Sequence, residues 1–308
     1  MFHHTASTIT FFYLCQMKHK IVFALIALSV ILSGCDNFEY HPYAAKIEGK
    51  TGVNEANIKR ICTGITALPL KFAFITDTQS AYDETAKAID IIRQRGDIDF
   101  IVHGGDQTDF GLPKEFMWCR DILEKARIPY FAVIGNHDCL GNGEDSFTYI
   151  YGRKNFSFNV AGVHFLCLNT NALEYDYSEP VPDLDFMERD ANDVKALNSS
   201  TPGTITHTVV IMHSRPYDEQ FNNNLAKVFL LYLLQFPGME SDAPSRQGGD
   251  FAGSRQKAFC VNGHNHHMAV NDIYDQGILF YQCANMERRS FFVFTITPEG
   301  YEMETVEF

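Results

Sequence analysis

Aspartate, asparagine, glutamine and histidine recur in five short segments, each directly after an apolar stretch. They are Asp77-Thr78-Gln79, Gly105-Asp106-Gln107-Thr108-Asp109, Gly135-Asn136-His137-Asp138, His213 and Gly263-His264-Asn265-His266. Carboxylate, amide and imidazole groups are the natural ligands of hard to borderline divalent cations. Any one of these residues alone says little. An isolated Asp77 or His213 is more often structural or solvated. Gly-Asn is a turn dipeptide, and Gly-His-Asn-His could be a tight loop with incidental histidines. The shared context carries the argument, because donors at several strand ends can converge on one cleft. No CxxC pair exists, which argues against a thiolate zinc site.

The flanking sequence supplies elements to position these groups. Residues 71–76 form an apolar strand ending at Asp77, and Ser80 can cap a following helix with Asp83 and Glu84 in its first turn. Tyr82, Ala86, Ile89 and Ile92 fall on one helical face before Gly96 ends it. Strands at 99–103 and 129–134 bracket a helix at 113–126. Asp77, Asp106 and Asn136 therefore recur at about 30 residues, the length of a strand–helix–strand unit. That spacing puts them beyond the carboxyl ends of neighbouring parallel strands, where open α/β sheets bind ligands. In the second half, 156–160 and 163–169 read as a hairpin, 174–185 as an acidic loop and 185–197 as a helix. A buried strand at 206–212 delivers His213, a helix follows at 225–235 and a loop at 237–253. A strand at 258–262 delivers the last motif, and further strands are expected at 268–274, 278–283 and 291–296, with one more ending near Phe308. The expected class is α/β: two packed sheets with helices outside, in one domain without internal repeats.

From about Lys71 to the C-terminus, the order and content of the five segments resemble the calcineurin-like metallophosphoesterases. The resemblance implies a two-sheet β sandwich flanked by helices, in α/β/β/α layers. It implies hydrolysis of a phosphomonoester or phosphodiester by two divalent ions (Mn, Fe, Zn or Mg). One ion would take Asp77, Gln79, Asp106 and His266; the other would take Asp106, Asn136, His213 and His264, with Asp106 as the bridge. Two cations about 3.5–4 Å apart can grip a phosphoester and activate water between them. The two glycines before Asp106 let the backbone turn sharply there. His264 and His266, two apart, would share a side on extended chain, and a slight turn would spread them over both metals. The resemblance gives His137 the role of protonating or stabilising the leaving oxygen, with Asp109 holding its ring. An imidazole so oriented is a credible general acid at neutral pH. Asp138 is expected to support its loop by hydrogen bonds, and Arg215 to meet substrate phosphate, with Arg288 and Arg289 as further candidates. His103 is expected to be structural, and His267 could compete with His266. Gln79 departs from the pattern, which has a histidine there. Its neutral amide oxygen is a harder, weaker donor that leaves the first metal labile and shifts preference toward manganese or magnesium, or leaves the site damaged. The alternative reading is a catalytically weak or inactive binding or scaffold protein on the same fold; retention of His137 with Asp109 favours the enzyme.

Apolar residues make up 45% of the 308-residue chain and aromatics 13%, a globular composition. The net charge of −13 argues against nonspecific binding to nucleic acid or anionic lipid, and makes a nuclease the weaker reading. It leaves an anionic substrate open, because bound cations invert the local potential. Lys18-His19-Lys20, the apolar run Ile21 to Ile31 and Leu32-Ser33-Gly34-Cys35 read as a lipoprotein signal with a cleavage box. The alternative is an ordinary N-terminal membrane anchor, disfavoured by the small residues, the cysteine and a run shorter than the about 20 residues a span needs. Residues 1–34 are then a signal peptide, with 1–16 a possible extension upstream of Met17. Cys35 is the lipidated N-terminus, residues 35–68 a lipid-anchored tether and lead-in segment, and 69–308 the catalytic domain. The expected location is exported and membrane-anchored, on the periplasmic or cell-surface side, and no motif suggests a protein partner. Cys62, Cys119, Cys139, Cys167, Cys260 and Cys283 permit disulfides in an exported protein. Cys119, Cys167 and Cys260, in apolar stretches, read instead as buried thiols.

Overall fold

The first sheet is built as the spacing predicts. Strands β1 (Leu70–Ile75), β2 (Phe100–His103) and β3 (Tyr130–Ala132) run parallel, joined by helices α2 (Tyr82–Arg95) and α3 (Pro113–Leu123). The computed structural model describes residues 17–26, 29, 41–239 and 256–308. Cys35, most of the expected leader and most of the 237–253 loop lie outside the described residues. The described residues divide into two units, one ending at Ala44 and one running from Ala45 to Phe308. In the first, residues 17–26 are helical. No helix among the described residues is long and apolar enough to cross a membrane.

The larger unit holds two sheets. C-terminal strands β10 (Ser290–Thr297) and β11 (Gly300–Glu307) extend the first sheet antiparallel to β1, giving the order β11-β10-β1-β2-β3. The second sheet has the order β4-β5-β6-β7-β9-β8. Its strands are β4 (Phe156–Val160), β5 (Val163–Leu168), β6 (His207–Met212), β7 (Ala258–Asn262), β8 (Ala269–Asn271) and β9 (Phe280–Gln282). Strands β5, β6, β7 and β9 are parallel, with antiparallel β4 and β8 at the edges.

Strand alternation separates three apolar layers. Phe72, Phe74, Phe100, Phe131 and Phe294 of the first sheet face Phe165, Val209, Ile211, Phe259 and Val261 of the second. The opposite face of the first sheet (Ala73, Ile75, Ile101) is covered by α2, α3 and α4 (Gly143–Ile150). The outer face of the second sheet (Leu166, Val210, Cys260) packs on α5 (Leu184–Ser200) and α6 (Ala226–Leu233). Helix, sheet, sheet, helix is the expected layering. Phe165 sits at its centre, with Phe72, Phe100, Phe131 and Phe158 ring centroids 4.9–6.4 Å away. Truncating such a residue to alanine typically costs about 3–5 kcal/mol.

From Ala45 onward, the polar lead-in segment folds as part of this unit. Helix α1 (Val53–Gly64) lies along β3, the edge strand of the first sheet. Asn54 donates to Ala132 O (2.8 Å) and accepts from Ala132 N (3.0 Å), and Asn57 donates to Tyr130 O (2.8 Å). Two side-chain amides thus do the work of a missing neighbouring strand, closing an edge that would otherwise expose unpaired backbone. Val53 and Ile61 add buried apolar contacts. The folded unit therefore begins well before residue 69.

Candidate metal centre

All five polar segments emerge from carboxyl ends of parallel strands: β1, β2 and β3 in one sheet, β6 and β7 in the other. Backbone bonds zip the first two loops together, with Asp77 N to Gly105 O at 3.0 Å and Thr78 N to Asp106 O at 2.9 Å. Glycines let the segments approach. A Cβ on Gly135 would lie 2.1 Å from Asp106 Oδ1, one on Gly105 2.6 Å from His213 Nδ1, and one on Gly263 2.3 Å from Asp77 Oδ2. Side chains at these positions would fill the space the donors occupy.

Asp106 stands at the middle of the cluster. Its Oδ1 accepts from His137 N (2.9 Å), while Oδ2 lies 3.2 Å from His213 Nε2 and 3.3 Å from Gln79 Nε2. To one side, Asp77 Oδ1 meets His266 Nε2 at 3.3 Å, and Asp77 Oδ2 accepts from Thr76 Oγ1 and His264 N. To the other, Asn136 Oδ1 lies 3.1 Å from both His213 Nε2 and His264 Nδ1. Donor atoms of Asp77, Asp106 and His213 fall within 4.8 Å of one another, and all three residues are buried. His264 and His266 diverge to the two sides because both adopt left-handed backbone, at φ 75° and 56°. Asp77 (51°) and Asp106 (56°) do the same, a conformation that costs a non-glycine residue of order 1 kcal/mol and concentrates at functional sites.

The electrostatics call for positive charge. Burial disfavours an imidazolium at His213, but the carboxylate and hydrogen bond of Asp106 outweigh it and raise the pKa to about 10. Burial would raise Asp106, yet the charge of His213 holds it below the ordinary carboxylate value. His264 is lowered by burial and by His213, and His266 is raised chiefly by its hydrogen bond to Asp77. Gln79 supplies an independent indication of fit. Its Nε2 faces Asp106, while its Oε1 is buried without a hydrogen-bond partner. An orphaned buried oxygen is costly unless something electropositive meets it.

His137 and Asp109 are brought together, but not through the expected atoms. His137 Nδ1 lies 2.9 Å from the main-chain carbonyl of Asp109, whereas the Asp109 carboxylate accepts from Ser80 N (3.1 Å) and Ser80 Oγ (2.5 Å). Ser80 consequently does not cap α2, whose preceding residue is Ala81. Asp138 is the loop support expected of it. Its oxygens accept from Gln107 N, Thr108 N, Thr108 Oγ1 and Gly135 N, although burial and the nearby Asp106 charge push its pKa up to about 7.

Arg215 pairs with Asp218 (Nε to Oδ1, 3.4 Å), and its Nη1 is buried without a partner. Arg289 pairs with Glu84, and Arg288 is exposed. His103 is structural: fully buried, bonded to Thr78 and Gly105 N, and kept neutral by burial, which lowers its pKa to about 3. The His267 ring is taken up by Asn265 O and Gln282. Sequence reasoning missed Ser80 as a site residue, and Thr76, whose hydroxyl steadies Asp77. All six described cysteines are free thiols, Cys119, Cys167, Cys260 and Cys283 buried and Cys62 exposed.

No curated protein matches the sequence. Among solved structures, the chain is similar to a dimetal phosphatase from Danio rerio (TM-score 0.56, 12% identity, covering 77% of this chain and 97% of that one). It is similar to GAP50, described as the anchor in the inner membrane complex of Plasmodium (TM-score 0.50, 16% identity, 78% and 84%). A purple acid phosphatase from yellow lupin seeds also matches (TM-score 0.56, 12% identity, 79% and 52%), so this chain spans about half of it. At these identities the likeness establishes the fold alone. The sequence itself goes further: residues 70–268, which run from β1 to just past the last histidine of the cluster, match the calcineurin-like phosphoesterase profile, and the chain belongs to that family.

Proposed function

We propose that the chain is a hydrolase cleaving a phosphomonoester or phosphodiester with a dinuclear metal centre. The observation carrying this reading is the cluster around Asp106, in which three strand-end carboxylate and amide oxygens meet three imidazoles with His137 alongside. In this reading Asp77, Gln79, Asp106 and His266 would hold one divalent cation, and Asp106, Asn136, His213 and His264 the other. Bound there, the cations supply charge neutralisation for the phosphoryl oxygens and activation of a water. The amide of Gln79 favours manganese or magnesium over zinc at the first position.

The chain's own residues supply the rest. A carbonyl oxygen can only accept, so Nδ1 of His137 carries a proton toward Asp109 O. Nε2 is then the nitrogen that exchanges a proton, and His137 protonates the leaving alcohol oxygen. The His137 backbone N–H and Gln79 Nε2 orient the Asp106 carboxylate. Arg215, held at Nε by Asp218 and unpaired at Nη1, is suited to a phosphoryl oxygen.

The test is release of 4-nitrophenol from the mono- and bis-ester of phosphate after chelation, with Mn²⁺, Zn²⁺ or Mg²⁺ restored separately. Activity returning with a metal supports the reading. A protein that takes up two ions and hydrolyses neither ester would favour the scaffold alternative. The leader sequence supports export and anchoring through a lipid on Cys35, in which case Cys35→Ser should move the protein out of the membrane fraction.

A further inference from the structure

Ser80 occupies an odd position for a loop serine. It is exposed and left-handed at φ 57°, yet both its backbone N–H and its hydroxyl are committed to the carboxylate of Asp109. Strain of this kind persists only where the surroundings hold it in place. The Asp109 carboxylate is the restraint the structure offers. The same residue's carbonyl oxygen meets His137 Nδ1 at 2.9 Å. Ser80 also follows Gln79, whose N–H bonds Asp106 O at 3.2 Å. The loop after β1 is therefore pinned to the loop after β2 at both ends, near Asp106 by backbone and near Asp109 by Ser80.

We infer that Ser80 is a positioning residue for His137. It anchors the Asp109 carboxylate, the anchor fixes the direction of the Asp109 carbonyl, and the carbonyl fixes the tautomer and angle of the imidazole. The catalytic consequence rests on the reading of His137 as the proton donor; the structural link does not. Asp109 acts on the ring through its main chain and on Ser80 through its side chain. Removing the carboxylate therefore loosens the ring without deleting the group that touches it.

The experiment uses metal-free protein labelled with ¹⁵N-histidine at about pH 8, with His137→Asn to assign the signal. Wild type should show His137 in one tautomer, protonated at Nδ1. Ser80→Gly, which relieves the left-handed strain while removing the hydroxyl, and Asp109→Ala should each give a mixture of tautomers. With metal restored, both variants should keep their metal content. They should lose on the order of 10- to 100-fold in kcat for alkyl phosphoesters, and less for 4-nitrophenyl esters, whose leaving group needs little protonation, with KM nearly unchanged. The double variant should lose no more than either single one. A His137 ring that stays in one tautomer in both variants, or losses that add, would overturn the inference. Failure of the wild type to hydrolyse any ester would sink the phosphoesterase reading and leave the tautomer result standing.

Discussion

His213 Nε2 stands 3.2 Å from Asp106 Oδ2 with both side chains closed off from solvent. In the metal-free protein this pair holds a proton, the His213 pKa rising from 6.5 to about 10. A raised histidine stabilises the fold fully below its unfolded value and loses that contribution as pH climbs through the folded one. The melting temperature of chelated protein should therefore fall between about pH 7 and pH 10. Divalent cations, which compete with that proton, should bind more tightly over the same range. Thermal melts with and without Mn²⁺ would measure both, and a flat metal-free profile would contradict the pairing.

Gln79→His should raise metal occupancy at limiting cation. An imidazole is a stronger donor for transition metals than an amide oxygen, and the buried Oε1 it replaces has no other partner. Metal-to-protein ratios after dialysis against sub-stoichiometric Mn²⁺ or Zn²⁺ would report the change. Equal ratios in variant and wild type would remove Gln79 from the ligand set.

His137→Asn should leave both cations in place while turnover falls by about 10²–10⁴-fold, most for poor leaving groups. The His137 backbone N–H to Asp106 survives the substitution, which is why metal content should not follow activity. A parallel loss of metal would make the imidazole a ligand instead of a proton donor.

Gly135→Ala should remove metal binding without unfolding β3. The added methyl would sit 2.1 Å from Asp106 Oδ1 and 2.2 Å from Asp106 N, forcing the central carboxylate out of register. Retained circular dichroism with lost metal uptake is the expected pair of results. Full metal uptake would mean the Asp106 loop can give way.

His103 sets an acid limit of a different origin. Burial holds its pKa near 3, so between pH 6.5 and that value the unfolded chain binds a proton the folded one refuses. Stability should fall as pH drops through this window. His103→Gln should flatten that part of the curve in chemical denaturation, and an unchanged slope would place the acid sensitivity elsewhere.

Much of this arrangement was legible in the sequence because strand and helix periodicity are local. Ala73 and Ile75 alternate with Phe72 and Phe74 along β1, and Ile89 and Ile92 mark one face of α2. The 30-residue rhythm then fixed which loops meet. Helix α1 escaped that reading because its key contacts are polar: Asn54 and Asn57 look like solvated residues until β3 proves to be an edge strand. The Asp109 contact escaped for another reason. Sequence can place a carboxylate near an imidazole, but not say which of its oxygens, side chain or main chain, does the touching. That depends on the turn at Ser80, whose left-handed backbone has no glycine to announce it.

The left-handed backbone of Asp77, Asp106, His264 and His266 has a consequence for how the protein would respond to selection. At each of these positions glycine or asparagine would sit more comfortably in the chain, and relief of backbone strain would favour the folded state at the loss of a donor. A campaign for heat resistance alone, blind to turnover, would be expected to erode the centre from these four residues outward, while the phenylalanine layers between the sheets stayed as they are.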